Sequence, residues 1–323
     1  MTVCQTSVQT LKNAPIPERK KYKRGIKAMK QYEVKKISIG NETLAYRTCG
    51  AGETIVLIHG NMSSSVHWQT TMERLEGFYR VFAVDMRGFG ESTYNNRFDS
   101  LRELAQDLER FLDEAGIDTC TLVGWSTGGG VVLEMAADLP ARVKKAILVE
   151  AVPPTGYPMF KKDAMGQPIL TELLKTKADI EADPVQVAPV LAAYAAGDRD
   201  TMRAIWNAVI YNLARPPKED YELYLTAMLE QKNLVDIDYS LLTFNMTSTP
   251  TGSAEGSDRL KKIACPVTMI HGKLDLVVPY AWAEGAAAAV PGAKLVTLET
   301  TGHSPITDDP ALFFSTLEHA IAE

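Results

Sequence analysis

The most constraining stretch of this chain is Leu122-Val123-Gly124-Trp125-Ser126-Thr127-Gly128-Gly129-Gly130. Residues 121–123 form an apolar run that predicts a short buried strand, and 130–138 read as a helix. Between them a serine stands in Gly-x-Ser-x-Gly spacing. A strand that becomes a helix within so few residues forces the residue at the bend into strained backbone geometry. Gly124 and Gly128 remove side chains where strand and helix come closest. The Ser126 hydroxyl is then left exposed, and the backbone N–H of Thr127 points to where an oxyanion would form. A glycine-rich turn with a bystander serine has the same pentapeptide, so the rest of the chain must decide between them.

On either side of this bend the pattern alternates. Residues 34–39 and 43–48 predict two strands around a turn at Gly40. Continuous apolar runs at 54–58, 79–85 and 146–149 fit strands buried on both faces. Helices are expected near 67–75 and over 101–115, the latter with apolar residues at 101, 104, 105, 108, 111 and 112. After a long interruption the core resumes with strands at 267–271 and 294–298 and helices at 280–289 and 310–322. Such alternation implies a mostly parallel sheet with helices on both faces. Residues 153–257 interrupt it. They predict helices over 178–196, 201–213 and 219–232 and a flexible return loop at 247–257, together a helical cap over the strand ends. The expected organisation is an arm at 1–33, a core at 34–152 and 258–323, and a cap at 153–257.

The 323 residues carry a net charge of −6, which argues against a nucleic-acid protein. Arg19, Lys20, Lys21, Lys23, Arg24, Lys27 and Lys30 make the arm basic against this acidic whole. It reads as a solvated arm or surface helix, with an anchor for an anionic surface or a second subunit as the sharper alternative. Cys4, Cys49, Cys120 and Cys265 are scattered without metal-ligand spacing, which suits a reducing, cytoplasmic setting. No apolar run approaches a membrane span, and the N-terminus lacks the apolar stretch of a signal peptide. Gly128-Gly129-Gly130 lacks the Lys-Ser/Thr of a phosphate loop. No cofactor and no metal are expected.

Ligands in open α/β sheets bind beyond the carboxyl ends of the strands. His59, Asp85, Ser126, Glu150, Asp275 and His303 all fall at such ends. Ser126, Asp275 and His303 each occupy their own strand-to-helix loop, in the chain order nucleophile, acid, base. A serine hydroxyl is a poor nucleophile near neutral pH without an adjacent base. His303 is placed to accept its proton, and Asp275 to fix the imidazole tautomer and stabilise the imidazolium.

These features together resemble the α/β-hydrolase fold. The resemblance is carried by His59-Gly60-Asn61-Met62, Asp85-Met86-Arg87-Gly88-Phe89-Gly90-Glu91-Ser92, Gly124-Trp125-Ser126-Thr127-Gly128, His271-Gly272 through Asp275, and Gly302-His303. It covers about residues 34–322. In this family the residue after the His-Gly pair gives the second oxyanion N–H, which implies Asn61, paired with Thr127. The Asn61 side chain is a further donor. His59, Asp85 and Arg87 are expected to be structural. Two features depart from the pattern. Glu150 ends the strand after the helix that follows Ser126, where haloalkane dehalogenases carry the triad acid, so it rivals Asp275. The His-Gly-Asn loop also resembles that group, but those enzymes need an aspartate where Ser126 stands. The Trp125-Ser126 pair is similar to serine-type intracellular polyhydroxyalkanoate depolymerases and related esterases and lactonases.

The expected function is hydrolysis of a small or oligomeric carboxylic ester by Ser126, His303 and Asp275 through an acyl-enzyme. Trp206, Tyr211 and Tyr239 are candidates for lining the pocket, with ordinary packing as the plainer reading. A cofactor-free haloperoxidase or C–C bond hydrolase would use the same triad, and a slow-turnover receptor would keep it for ligand sensing.

Overall fold

The computed structural model describes residues 29–323. The basic run at 19–27 lies outside the described residues. Eight strands form one sheet: β1 (Lys35–Ser38), β2 (Thr43–Cys49), β3 (Thr54–Ile58), β4 (Arg80–Val84), β5 (Cys120–Trp125), β6 (Val143–Val149) and, beyond the hairpin β7 (Phe160–Lys162) and β8 (Pro168–Leu173), β9 (Val267–Gly272) and β10 (Lys294–Leu298). Their order is β1-β2-β4-β3-β5-β6-β9-β10. Only the pairings of β2 are antiparallel, with β1 and β4; the others are parallel. The sheet is therefore mostly parallel, as the alternating pattern implies.

Strand periodicity splits the core in two. Val56, Ile58, Phe82, Val84, Ala146 and Leu148 face one cluster. Their neighbours Ile55, Leu57, Val81, Ala83, Ile147 and Val149 face the other. On the first face lie α2 (Leu101–Glu114) and α3 (Thr127–Asp138). All six apolar positions that predict α2 are buried, and Ser100 caps its N-terminus by accepting from Glu103 N–H. The second face carries α1 (Gln69–Leu75) and, at the chain's end, Phe313, Phe314 and Leu317. Each such side chain contributes about 1.5–3 kcal/mol relative to exposure.

Residues 153–257 differ from expectation in three ways. They include the β7–β8 hairpin, whose turn is held by Asp163 accepting from the N–H groups of Met165 and Gln167. The helix expected over 178–196 is broken into α4 (Lys177–Glu181) and α5 (Ala188–Ala196). Pro184 lacks an N–H, and the Asp183 carboxylate takes those of Val185 and Gln186, so the chain turns instead of continuing. After α6 (Arg199–Val209) and α7 (Lys218–Leu229) comes a further helix, α8 (Leu234–Leu242), where none was expected. The return segment at 247–257 has neither helix nor strand. Trp206, Tyr221, Tyr224 and Leu225 of α6 and α7 join the second-face cluster. Ile237 and Leu241 of α8 join the first. The core closes with α9 (Tyr280–Ala289), the short α10 (Pro305–Asp308) and α11 (Pro310–Ala322).

Residues 29–32, the end of the arm, run as a strap across this junction. Met29 is buried, its N–H donates to Asp220 of α7, and Tyr224 O–H lies on its sulfur. Tyr32 N–H donates to Gln69 of α1, and Tyr32 O–H to Glu76.

Candidate active site

Ser126 sits between β5 and α3 with φ 54° and ψ −120°, the strained bend that the glycine spacing predicts. A Cβ on Gly124 would collide with the Gly128 carbonyl, so strand and helix approach only because that atom is missing. The bend is pinned by backbone bonds. Ser126 N–H donates to Val149 O at 2.9 Å, and Ser126 O accepts from Gly129 N–H at 2.9 Å and Val152 N–H at 3.2 Å. Helix α3 begins at Thr127, earlier than expected, which puts the Thr127 N–H among those without an intrahelical acceptor.

His303 follows β10 and is buried. Its Nδ1 lies 2.8 Å from Asp275 Oδ2. The other Asp275 oxygen accepts from the N–H groups of Val277 and Val278 at 2.7 and 2.9 Å. Burial alone would raise the Asp275 pKa. The charge and hydrogen bond of His303, with Val278 N–H, outweigh it and hold Asp275 below the usual carboxylate range. Trp125 Nε1 donates to the His303 carbonyl at 2.9 Å, tying the histidine loop to the strand that carries Ser126.

The His59-Gly60-Asn61 turn approaches from β3. A Cβ on Gly60 would stand 2.9 Å from Ser126 Cβ and 3.6 Å from its Oγ. His59 serves this turn: its Nδ1 lies 2.8 Å from Gly60 O and its Nε2 accepts from Met86 N–H at 3.1 Å. Asp85 accepts from Ser65 and Glu91 N–H, and Arg87 pairs with Asp107 at 2.6 Å. The Asn61 side chain is engaged elsewhere than expected. Its Nδ2 donates to Asp238 at 3.0 Å, and its Oδ1 accepts from Met62 N–H and from Gln231 Nε2.

Gln231 and Asp238 are missing from the sequence reading, and no spacing distinguishes them from other polar residues of the 153–257 segment. Asp238 lies on α8, buried, with no cation among its hydrogen-bond partners in the described residues. Burial pushes its pKa up to about 7; the Asn61 amide works against the rise and Asp183 adds to it.

Glu150 ends β6 with φ 45° and is fully buried. It does not touch His303 Nδ1, which is taken by Asp275. Both Glu150 oxygens accept from Gly272 N–H, at 2.8 and 2.9 Å. Trp206 and Tyr211 are buried in an aromatic cluster, with the Trp206 ring 6.1 Å from Trp125 and 5.2 Å from Tyr211. Tyr239 instead lies beneath Lys177. A cavity of about 20 Å³ beside Trp125 and Ser304 has room for one water, not an ester.

Residues 55–316 match the alpha/beta hydrolase family. An uncharacterized protein of Mycobacterium tuberculosis is 28% identical over 280 residues, covering 85% of this chain and 76% of its own length. The pimeloyl-[acyl-carrier protein] methyl ester esterase of Vibrio vulnificus is 26% identical over 272 residues, covering 84% of this chain and 94% of its own. Among solved structures, an esterase from Exiguobacterium antarcticum superimposes with a TM-score of 0.67 at 21% identity, over 87% of this chain and 96% of that one. With the strand order, the strained serine bend and the family match in agreement, the chain belongs to the alpha/beta hydrolase family.

Proposed function

We propose that the protein is a serine hydrolase of carboxylic esters, with Ser126 as nucleophile, His303 as base and Asp275 as the acid that orients it. The observation that carries this reading is the 2.8 Å contact between His303 Nδ1 and Asp275 Oδ2, beyond the strand ends where the φ 54° bend presents Ser126. A histidine held at Nδ1 by a carboxylate keeps Nε2 free to take the serine proton. Ser126 Oγ bonds to the ester carbonyl carbon as its proton passes to His303. The imidazolium gives that proton to the departing alcohol. Water, deprotonated by His303, then attacks the acyl-enzyme and releases the acid. The N–H groups of Thr127 and Asn61 hold the oxyanion, a contribution of about 100- to 1,000-fold in rate for each donor. The Asn61 side chain is instead oriented by Asp238, which accepts from its Nδ2, and by Gln231, which donates to its Oδ1.

Ester chemistry is also what the name of the Vibrio vulnificus relative states for that protein. The substrate proposed here is a small or oligomeric ester or lactone, with a 3-hydroxybutyrate oligomer among those to be tried. The unpaired Cys49, Cys120 and Cys265 support a reducing, cytoplasmic setting. Among the described residues no helix is long and apolar enough to cross a membrane.

The test is covalent labelling beside a panel of esters and lactones graded by acyl length. An organophosphonate adds once, on Ser126, and Ser126→Ala folds but turns over no ester. A label elsewhere, or a fully active Ser126→Ala, overturns the reading.

A further inference from the structure

Behind the His303–Asp275 pair lies a second carboxyl group that the mechanism does not use. Glu150 is fully buried, and among the described residues no Lys or Arg reaches it. Its backbone is held at φ 45°, a cost for any residue but glycine, with its N–H on Ile270 O at 3.0 Å. That backbone delivers the carboxyl group to Gly272 N–H and to Asp275. Oxygens of Glu150 and Asp275 and a ring nitrogen of His271 lie within 4.8 Å of one another, so the two carboxyl groups face each other across a short gap.

A metal ion is the first thing such a triangle suggests, but His271 argues against it. Its Nε2 stands 2.9 Å from the Val278 carbonyl, 3.4 Å from Glu150 Oε2 and 3.5 Å from Asp275 Oδ2. A nitrogen facing three oxygens carries a hydrogen and has no lone pair to offer an ion. Burial also keeps the His271 imidazole neutral by lowering its pKa. Two buried carboxyl groups this close, with no cation beside them among the described residues, cannot both be ionised. Asp275 is the one with donors for a full negative charge: Val277 N–H, Val278 N–H and His303. Glu150 has Gly272 N–H and, at 3.4 Å, a His271 Nε2 that lies closer to the Val278 carbonyl.

We propose that Glu150 is a positioning residue for the Asp275–His303 pair, a neutral carboxylic acid whose O–H donates to the Asp275 carboxylate and holds its second oxygen toward His303 Nδ1. The proposal rests on Asp275 being the triad acid. Burial, and after it the Asp275 charge, drive the Glu150 pKa well above the ordinary carboxyl value, which keeps the proton in place; the nearby Asp308 adds to the effect and Gly272 N–H opposes it. His271, His303 and Tyr157 are the other titratable groups around the pair.

Glutamine tests it, because its amide keeps the size of Glu150, donates to Asp275 and accepts from Gly272, but carries no charge. Glu150→Gln should keep kcat within about threefold and leave the acidic limb of the kcat/KM–pH profile where it is. Were Glu150 ionised, removing its charge beside the imidazolium would move that limb down by about 1 unit or more. Glu150→Leu, which cannot donate, should lower kcat by about tenfold or more, with Glu150→Gln as its folded reference. A limb that drops in Glu150→Gln, or a wild-type kcat in folded Glu150→Leu, overturns the proposal. A fully active Asp275→Asn instead removes the triad assignment beneath it, so the two failures are distinguishable.

Discussion

In the proposed triad Asp275 sets both the tautomer and the charge of His303, so Asp275→Asn carries the sharpest kinetic expectation. It should lower kcat by a factor of about 10⁴ with the fold intact, measured on a small soluble ester beside a thermal melt. A second expectation at this scale concerns Asp238. Its folded-state pKa of about 7 lies above the ordinary value of 3.8. The stability it contributes is therefore fully present below about pH 4 and is lost as pH rises through 7. Asp238→Asn is neutral at every pH and escapes that loss. The difference in Tm in favour of the variant should widen between about pH 5 and pH 8; a constant difference would mean that Asp238 does not titrate there. Ser126, Asp275 and His303 were legible as candidates because each lies on the loop that follows a strand signalled by its apolar run. Asp238 and Gln231 were not, because their contact with Asn61 closes across 177 and 170 residues and leaves no local pattern.

Elements were legible where burial imposes a period. The strands of the sheet and α2 follow from apolar spacing alone, since a face that is packed must repeat with the backbone. The 153–257 segment was less so. Its β7–β8 hairpin is short and largely exposed, with Leu170 on its surface, so no alternation marks it. The break between α4 and α5 depends on the Asp183 side chain competing for backbone N–H groups, which an apolar period does not register. At the elbow, backbone proximity supplies a prediction. Gly124→Ala drives a methyl group into the Gly128 carbonyl, and the strain should cost about 1–3 kcal/mol in denaturant unfolding. An unchanged midpoint would show that β5 and α3 can separate without penalty.

For the whole molecule, the strap at 29–32 fastens the chain just after its basic run to α7 and α1. A chain that begins at Ala28 should keep wild-type kcat on a small ester and lose any salt-sensitive association that the full chain makes with anionic surfaces or with itself. A chain that begins at Glu33 also loses Met29 and Tyr32, and with them contacts to α7 and α1. It should unfold with about 2 kcal/mol less stability. Equal midpoints for the two chains would mean that the strap is decoration. The same junction has an optical side. Of the four tryptophans, Trp125 belongs to the sheet and Trp206 to α6, and their rings meet edge to face with centroids 6.1 Å apart. Two indoles fixed so close and so steeply inclined couple their electronic transitions. Trp125 and Trp206 should thus act as a chromophore pair spanning the sheet and α6: a far-ultraviolet exciton couplet is expected while α6 sits on the sheet, absent in Trp206→Phe and fading as those layers part.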